Sequence, residues 1–204
     1  VRWARELPGH PAVITTHRSI SYSELDTLIA NTASALHSRG VVAGDRVVVC
    51  GANSWEWIVI IHALSRSAAV HVPLGTRILK SHADEYRRVY SPRIILADET
   101  ASQLWPAFVP IEACVPGAGD GSSHTLAPDI DPDALHSIVQ TSGSEGKPKG
   151  VCLSFRNHLA SALGSALNLG VRPDDRWLLN FSLDRIGGLA IAIRAAIYGT
   201  TVVV

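Results

Sequence analysis

From residue 21 onward, stretches with apolar positions at helical spacing alternate with short β-branched runs. Ser21, Tyr22, Ser23 and Glu24 form an S-x-x-E capping box. Leu25, Leu28, Ile29, Thr32, Ala33 and Leu36 then recur on one helical face, and Gly40 ends the run. Gly44 and Asp45 predict a turn, and residues 46–50 a strand. Ser54 is placed to cap a helix running to about Ser67. Residues 69–72 read as a strand closed by Pro73, residues 82–90 as a helix and residues 93–97 as a strand. After residue 132 the alternation resumes. Strands are expected over 135–140, 151–154 and 176–180, and helices over 157–169 (ending at Gly170) and 188–198. A last apolar run, 200–204, reads as a buried strand. Strands alternating with helices predict a layered α/β fold with mixed, largely parallel sheets.

Residues 114–132 break the pattern. They are rich in Gly, Pro, Asp and Ser and read as a surface connection, with a subdomain boundary possible there. No internal repeat is visible. The chain has 204 residues, 47% of them hydrophobic, which is enough for one sizeable core. Charged residues make up 18%, with 18 basic against 18 acidic, so charge gives no case for nucleic acid or an acidic membrane as partner. Cys50, Cys114 and Cys152 are odd in number and far apart, which suggests neither a disulfide framework nor a zinc site and favours a reduced, cytoplasmic setting. No signal peptide and no membrane-spanning run is evident. The chain begins with valine, contains no methionine, and ends on a strand with no turn after it. It is therefore expected to be a piece of something longer.

The segment with chemistry in it runs from Ser137 to Gly150. A strand-like Ile138-Val139-Gln140 leads into Thr141-Ser142-Gly143-Ser144-Glu145-Gly146-Lys147-Pro148-Lys149-Gly150. Gly143 and Gly146 let backbone N–H groups approach an anion closely, as a nest of donors. Thr141, Ser142 and Ser144 add hydroxyl donors, and Lys147 and Lys149 add positive charge against phosphate. Only two residues separate Gly143 from Gly146, and Pro148 follows Lys147, so this is not a Walker A loop; nor is it a dinucleotide fingerprint. The plainer alternative, a flexible turn of common loop residues, is disfavoured by a ten-residue match between two strands.

Other conspicuous residues have bland readings. The nine histidines are scattered and read as surface or packing residues. Trp55 and Trp57 read as core and rim, Asp174 and Asp175 as a turn, and Ser182 lacks the context of a nucleophile elbow.

The loop resembles the phosphate-loop signature of the AMP-forming, adenylate-forming superfamily. Three flanking segments are similar to that family in the right order. They are Ile20-Ser21-Tyr22-Ser23-Glu24-Leu25, Gly40-Val41-Val42-Ala43-Gly44-Asp45-Arg46-Val47 and Ala69-Val70-His71-Val72-Pro73-Leu74. Residues 156–162 and 186–194 resemble the o-succinylbenzoate–CoA ligase branch of menaquinone synthesis. The chain departs from the family's pattern at three places. Gln140 and Phe155 stand where an aromatic residue and a histidine are usual, and Asp184-Arg185 replaces an aromatic–histidine pair that lines the acyl pocket.

The resemblance implies that residues 1–204 are a partial N-terminal AMP-binding domain, with the C-terminal domain absent. It implies a small-molecule carboxylic acid, ATP with Mg2+, and CoA as reactants. The acid would be activated as an acyl-adenylate and passed to CoA, with o-succinylbenzoate the expected acid. Thr141, Ser142, Gly143, Ser144, Gly146, Lys147 and Lys149 would hold ATP phosphates. Arg185, Gly188 and Arg194 would line the acid site, with Arg194 placed either in an ordinary salt bridge or against a second substrate carboxylate. No metal ligand is assigned to this chain. The family's Mg2+, ribose and catalytic-lysine motifs lie beyond residue 204, so the 204-residue chain alone is expected to be inactive. A general acyl-CoA synthetase, an amino-acid adenylation domain and a non-catalytic remnant remain as alternatives, and the oligomeric state is open.

Overall fold

The computed structural model describes residues 2–116, 130–141 and 149–204. Ten strands and six helices follow in the order α1 (Trp3–Glu6), β1 (Pro11–Ile14), β2 (Ser19–Ser21), α2 (Tyr22–Ser38), β3 (Arg46–Cys50), α3 (Trp55–Arg66), β4 (Val70–Leu74), α4 (Lys80–Tyr90), β5 (Ile94–Ala97), β6 (Val109–Pro110), β7 (Leu135–Thr141), β8 (Lys149–Ser154), α5 (Phe155–Leu169), β9 (Arg176–Leu178), α6 (Ile186–Tyr198) and β10 (Thr201–Val203), with one 3-10 turn at Ser102–Leu104. They form two sheets, ordered β2-β1-β10-β9 and β6-β5-β3-β4-β7-β8. Only β1–β2 and β7–β8 pair antiparallel; the other pairings are parallel. The layered, largely parallel α/β architecture is the one the alternation predicts.

β3 shows why the layers stack. It reads Arg-Val-Val-Val-Cys and is buried on both faces. Val47 and Val49 join the core formed with α2, α3 and α6, while Val48 and Cys50 join a second core with Ala83, Tyr86 and Tyr90 of α4. Strand periodicity thus sends alternate side chains to opposite layers. α2 packs on α3 and on β1, and α3 packs on β4, so the two helices lie between the sheets.

Several local expectations need correction. Ser21 caps α2 by accepting from Glu24 N at 3.2 Å, but the Glu24 carboxylate turns to Arg18 at 2.5 Å instead of completing the box. A nearby guanidinium is a stronger partner than one more backbone N–H. α5 begins at Phe155, two residues earlier than predicted, because Ser154 and Asn157 form a full capping box. Pro73 lies within β4 and does not close it. It is tolerated because the recorded pairing toward β7 is His71↔Ser137 and does not extend to Pro73, which has no N–H to give. β9 stops at Leu178, where the predicted strand ran to 180, and α6 begins at Ile186. α1, β1 and β6 have no counterpart in the sequence reading. β1 is four residues long and owes its place to Val13↔Val202, a partner almost the whole chain away. Most of the connection over 114–132 lies outside the described residues.

His71, His136 and His158 are packing residues, as one of the two readings had it, and they are organised. His71 is fully buried and accepts from Trp57 Nε1–H at 3.1 Å. The His136 and His158 rings meet at 4.6 Å. His136 Nε2 lies 2.8 Å from Ser65 Oγ, whose own proton goes to Ile61 O, so the imidazole is the donor. His158 Nε2 lies 2.9 Å from Ser137 Oγ. Trp57 is fully buried and Trp55 half-buried beneath Arg18, at 4.4 Å, as core and rim.

Candidate functional site

The carboxyl ends of β3, β4 and β7 open into a cavity of about 440 Å³, the position where parallel α/β sheets gather ligands. β4 and β5 lie on opposite sides of β3. Gly51 and Ala52 leave β3, Gly75 to Ile78 leave β4, and Gln140 and Thr141 end β7. Tyr86 of α4 also lines the cavity, with Asn180, Phe181, Ser182, Asp184 and Arg185 from the segment before α6.

That segment is fixed by a residue the sequence reading did not single out. Asn53 donates from Nδ2 to Phe181 O at 2.9 Å and accepts from Leu183 N at 2.8 Å. Asp98 does the same for the turn after β3, accepting from Ala52 N at 2.7 Å and from Ala101 N at 3.0 Å. Both are short polar side chains next to strand ends, a weak signal in sequence because such residues are common in all loops.

Of the ten candidate site residues, Ser142, Gly143, Ser144, Gly146 and Lys147 lie outside the described residues. The two stems of their loop are described. Thr141 faces Lys149 across the β7–β8 pair, and its Oγ1 donates to Lys149 O at 3.2 Å. Thr141 lines the cavity. Lys149 is exposed, and its ammonium makes no ion pair with the described residues. The loop therefore leaves from the cavity rim.

The acid-site candidates are not brought together. Arg185 lines the cavity with its side chain 63% exposed, and its Nε lies 3.2 Å from Asp184 Oδ2. Asp184 is buried against Gly75, where a Cβ would come within 2.7 Å of Oδ2. Arg77, which the sequence reading passed over, adds a second guanidinium to the lining. Together these make the cavity cationic, which suits an anionic ligand. Arg194 instead lines a separate cavity of about 190 Å³ with Asn157, Ser161 and Ile186. Its Nε donates to Ala190 O at 3.0 Å and its Nη1 to Ser165 Oγ at 2.7 Å, and its guanidinium lies 5.4 Å from the Trp177 ring centre. Among the described residues Arg194 has no carboxylate partner, so the ordinary salt bridge is not what holds it. Gly188 lines neither cavity. It is buried at the start of α6, where its missing Cβ lets the helix lie on the backbone of Phe181 and Ser182.

Cys50 sits beside the larger cavity with Sγ–H toward Gly75 O at 3.7 Å, and burial pushes its thiol up to about 12. It stays protonated and is no nucleophile. Among the described residues no group of three or more His, Cys, Asp or Glu is placed to hold a metal ion, and no helix is long and apolar enough to cross a membrane.

Residues 1–204 match the family of AMP-binding enzymes. The chain is 32% identical over 193 residues to the 2-succinylbenzoate–CoA ligase of Bacillus cereus, covering 94% of this chain and 39% of that one. The ligase of the same name from Bacillus cytotoxicus is 32% identical over 196 residues, covering 96% and 40%. The chain thus spans about two-fifths of the length of these relatives. Among solved structures, o-succinylbenzoate CoA synthetase from Bacillus subtilis with the acyl-adenylate intermediate superposes with a TM-score of 0.87 at 26% identity, over 99% of this chain and 54% of that one. The same enzyme with ATP and magnesium gives 0.87 at 27% identity, over 100% and 55%.

Proposed function

We propose, from the premise that this chain belongs to the AMP-binding enzyme family, that the protein containing it activates o-succinylbenzoate with ATP and transfers the acyl group to CoA. The observation that carries this is the convergence at one rim. The loop stems Thr141 and Lys149 emerge beside a cationic cavity lined by Arg77 and Arg185, at the carboxyl ends of parallel strands. The relatives' names supply the acid.

In the first step a carboxylate oxygen attacks the α-phosphorus of ATP. The bond to the bridging oxygen breaks, pyrophosphate leaves, and an acyl-adenylate forms. In the second step the CoA sulfur attacks the acyl carbon, giving the thioester, and AMP leaves with the bonding electron pair. Mg2+, carried with the triphosphate, offsets its charge. This chain contributes position and electrostatics: the loop cradles the β- and γ-phosphates, and Lys149 meets the charge that grows as pyrophosphate departs.

Lys149→Ala in the full-length protein is expected to slow o-succinylbenzoyl-adenylate formation by roughly 10- to 100-fold, the loss of one charge-assisted contact. The melting temperature should stay within about 2 °C, because the side chain is exposed. Pyrophosphate release and a thermal scan on the same preparation check both halves, and full activity in the variant would count against the loop assignment.

Arg194 is assigned to the second carboxylate of the substrate. Its guanidinium is held by a hydroxyl, a carbonyl and a ring face, which position it without neutralising it. Arg194→Ala should raise the KM for o-succinylbenzoate by about tenfold or more while leaving the KM for ATP unchanged. A wild-type preference for a simple monocarboxylic acid would overturn the acid assignment and leave the adenylation chemistry.

A further inference from the structure

We infer that the hydroxyl of Tyr90, lodged between Gln140 and Gly150, is a positioning group that anchors the root of the phosphate loop; the inference rests on the loop's assignment to ATP. Gln140 and Gly150 face each other across the β7–β8 pair, one step inside Thr141 and Lys149, where the loop begins. β8 is an edge strand, with a neighbour on one side only. The Tyr90 side chain, at the last residue of α4, reaches the pair at this level.

The contact is tight on both strands. Gln140 Nε2–H donates to Tyr90 Oη. A Cβ on residue 150 would lie 2.7 Å from Tyr90 Oη and 2.8 Å from Ile138 Cγ2. Gly150 is not among the glycines with positive φ, so backbone conformation does not require glycine there. What requires it is the close approach of the tyrosine hydroxyl and of Ile138. Gln140 stands where the family usually has an aromatic residue, so the bond is made by this chain's own departure from that pattern. The Tyr90 ring in turn stacks on Tyr86 at 6.0 Å and 22°, and Tyr86 is a wall of the larger cavity. The loop root and the cavity wall are thus joined through one side chain.

Thr141 and Lys149 follow directly on the anchored pair, so the contact fixes where both stems stand when phosphate is bound, and a site fixed beforehand binds more tightly. The anchor therefore acts on ATP affinity and not on the acid.

The test uses the full-length protein with Tyr90→Phe, Gln140→Leu and the double variant. Calorimetry gives the Kd for Mg·ATP, and steady-state kinetics the KM for o-succinylbenzoate. Each single variant should weaken Mg·ATP binding about five- to tenfold, the scale of one hydrogen bond, with the KM for the acid nearly unchanged and the melting temperature lowered by a few degrees. The double variant should be no weaker than the weaker single one, because both remove the same bond. Unchanged ATP affinity in both singles, additive losses in the double, or a parallel loss of acid binding would each overturn the anchor. A wild type that binds Mg·ATP but does not activate o-succinylbenzoate would sink the acid assignment and leave the anchor standing. A wild type that does not bind Mg·ATP would sink both.

Discussion

Acidifying the protein from pH 7 toward pH 4 is expected to unfold this region, with most of the loss between about pH 6 and pH 4. The cause is the set of buried histidines. Burial pushes His71 down to about 3, His136 to about 2 and His62 and His158 to about 4. Their mutual proximity adds to the effect on His71 and His136. The hydrogen bonds agree with the direction: His71 accepts from Trp57 at Nε2, and a proton there would destroy that bond. Each folded-state pKa is depressed, so below about pH 6.5 the unfolded chain binds protons that the folded chain refuses. The stability is fully present above that pH and is lost as pH falls toward the folded values. Four such groups give a slope of at most about 5.4 kcal/mol per pH unit, against a total of about 5–15 kcal/mol for a domain. Urea titrations at a series of pH values check this. His136→Gln should lower the slope by about one quarter, or about 1.4 kcal/mol per unit. A stability unchanged between pH 7 and pH 5 would refute it.

Gly188→Ala is expected to destabilise the protein by about 3 kcal/mol or more, despite the gain in helix propensity. The new Cβ would lie 2.3 Å from Ser182 O, 2.6 Å from Ser182 C and 2.7 Å from Phe181 O. These are backbone atoms, and the segment cannot retreat because Asn53 holds Phe181 O and Leu183 N. Gly187→Ala is the control. Its Cβ would meet only the Phe181 side chain, at 3.3 Å, and that ring is exposed and can turn away. Its expected cost is under about 1 kcal/mol. Equal effects of the two substitutions in chemical denaturation would show that the backbone contact is not what decides. The pair also separates two roles for Gly188, since a substrate contact would change the acid's KM without an equal loss of stability.

The candidate site was partly legible because its loop is a local object. A phosphate nest needs small residues, hydroxyls and lysines in consecutive positions, and residues 141–150 display them without help from the rest of the chain. Arg185 was legible for a similar reason, standing in a short segment next to Asp184. Asn53, Arg77 and Tyr90 were not. Asn53 acts on residues 128 to 130 positions away, and Tyr90 on Gln140 across 50. Nothing in their immediate neighbours marks them.

By itself the sequence determined the alternation of helices and strands, because hydrophobic period and N-caps depend on residues within one or two turns. It also determined the loop and, through it, the family. Tertiary structure alone decided which strands pair, that β1 lies between β2 and β10, and that four-residue segments such as β1 are worth ordering. It separated Arg194 from Arg185 into different cavities and set Gly188 against the backbone of Phe181 and Ser182. It also gathered His71, His136 and His158, far apart in the chain, into one neutral cluster. The physical reason is common to all of these: burial and pairing are properties of surfaces that meet only after the chain has closed long loops, and no local pattern encodes which surface will arrive.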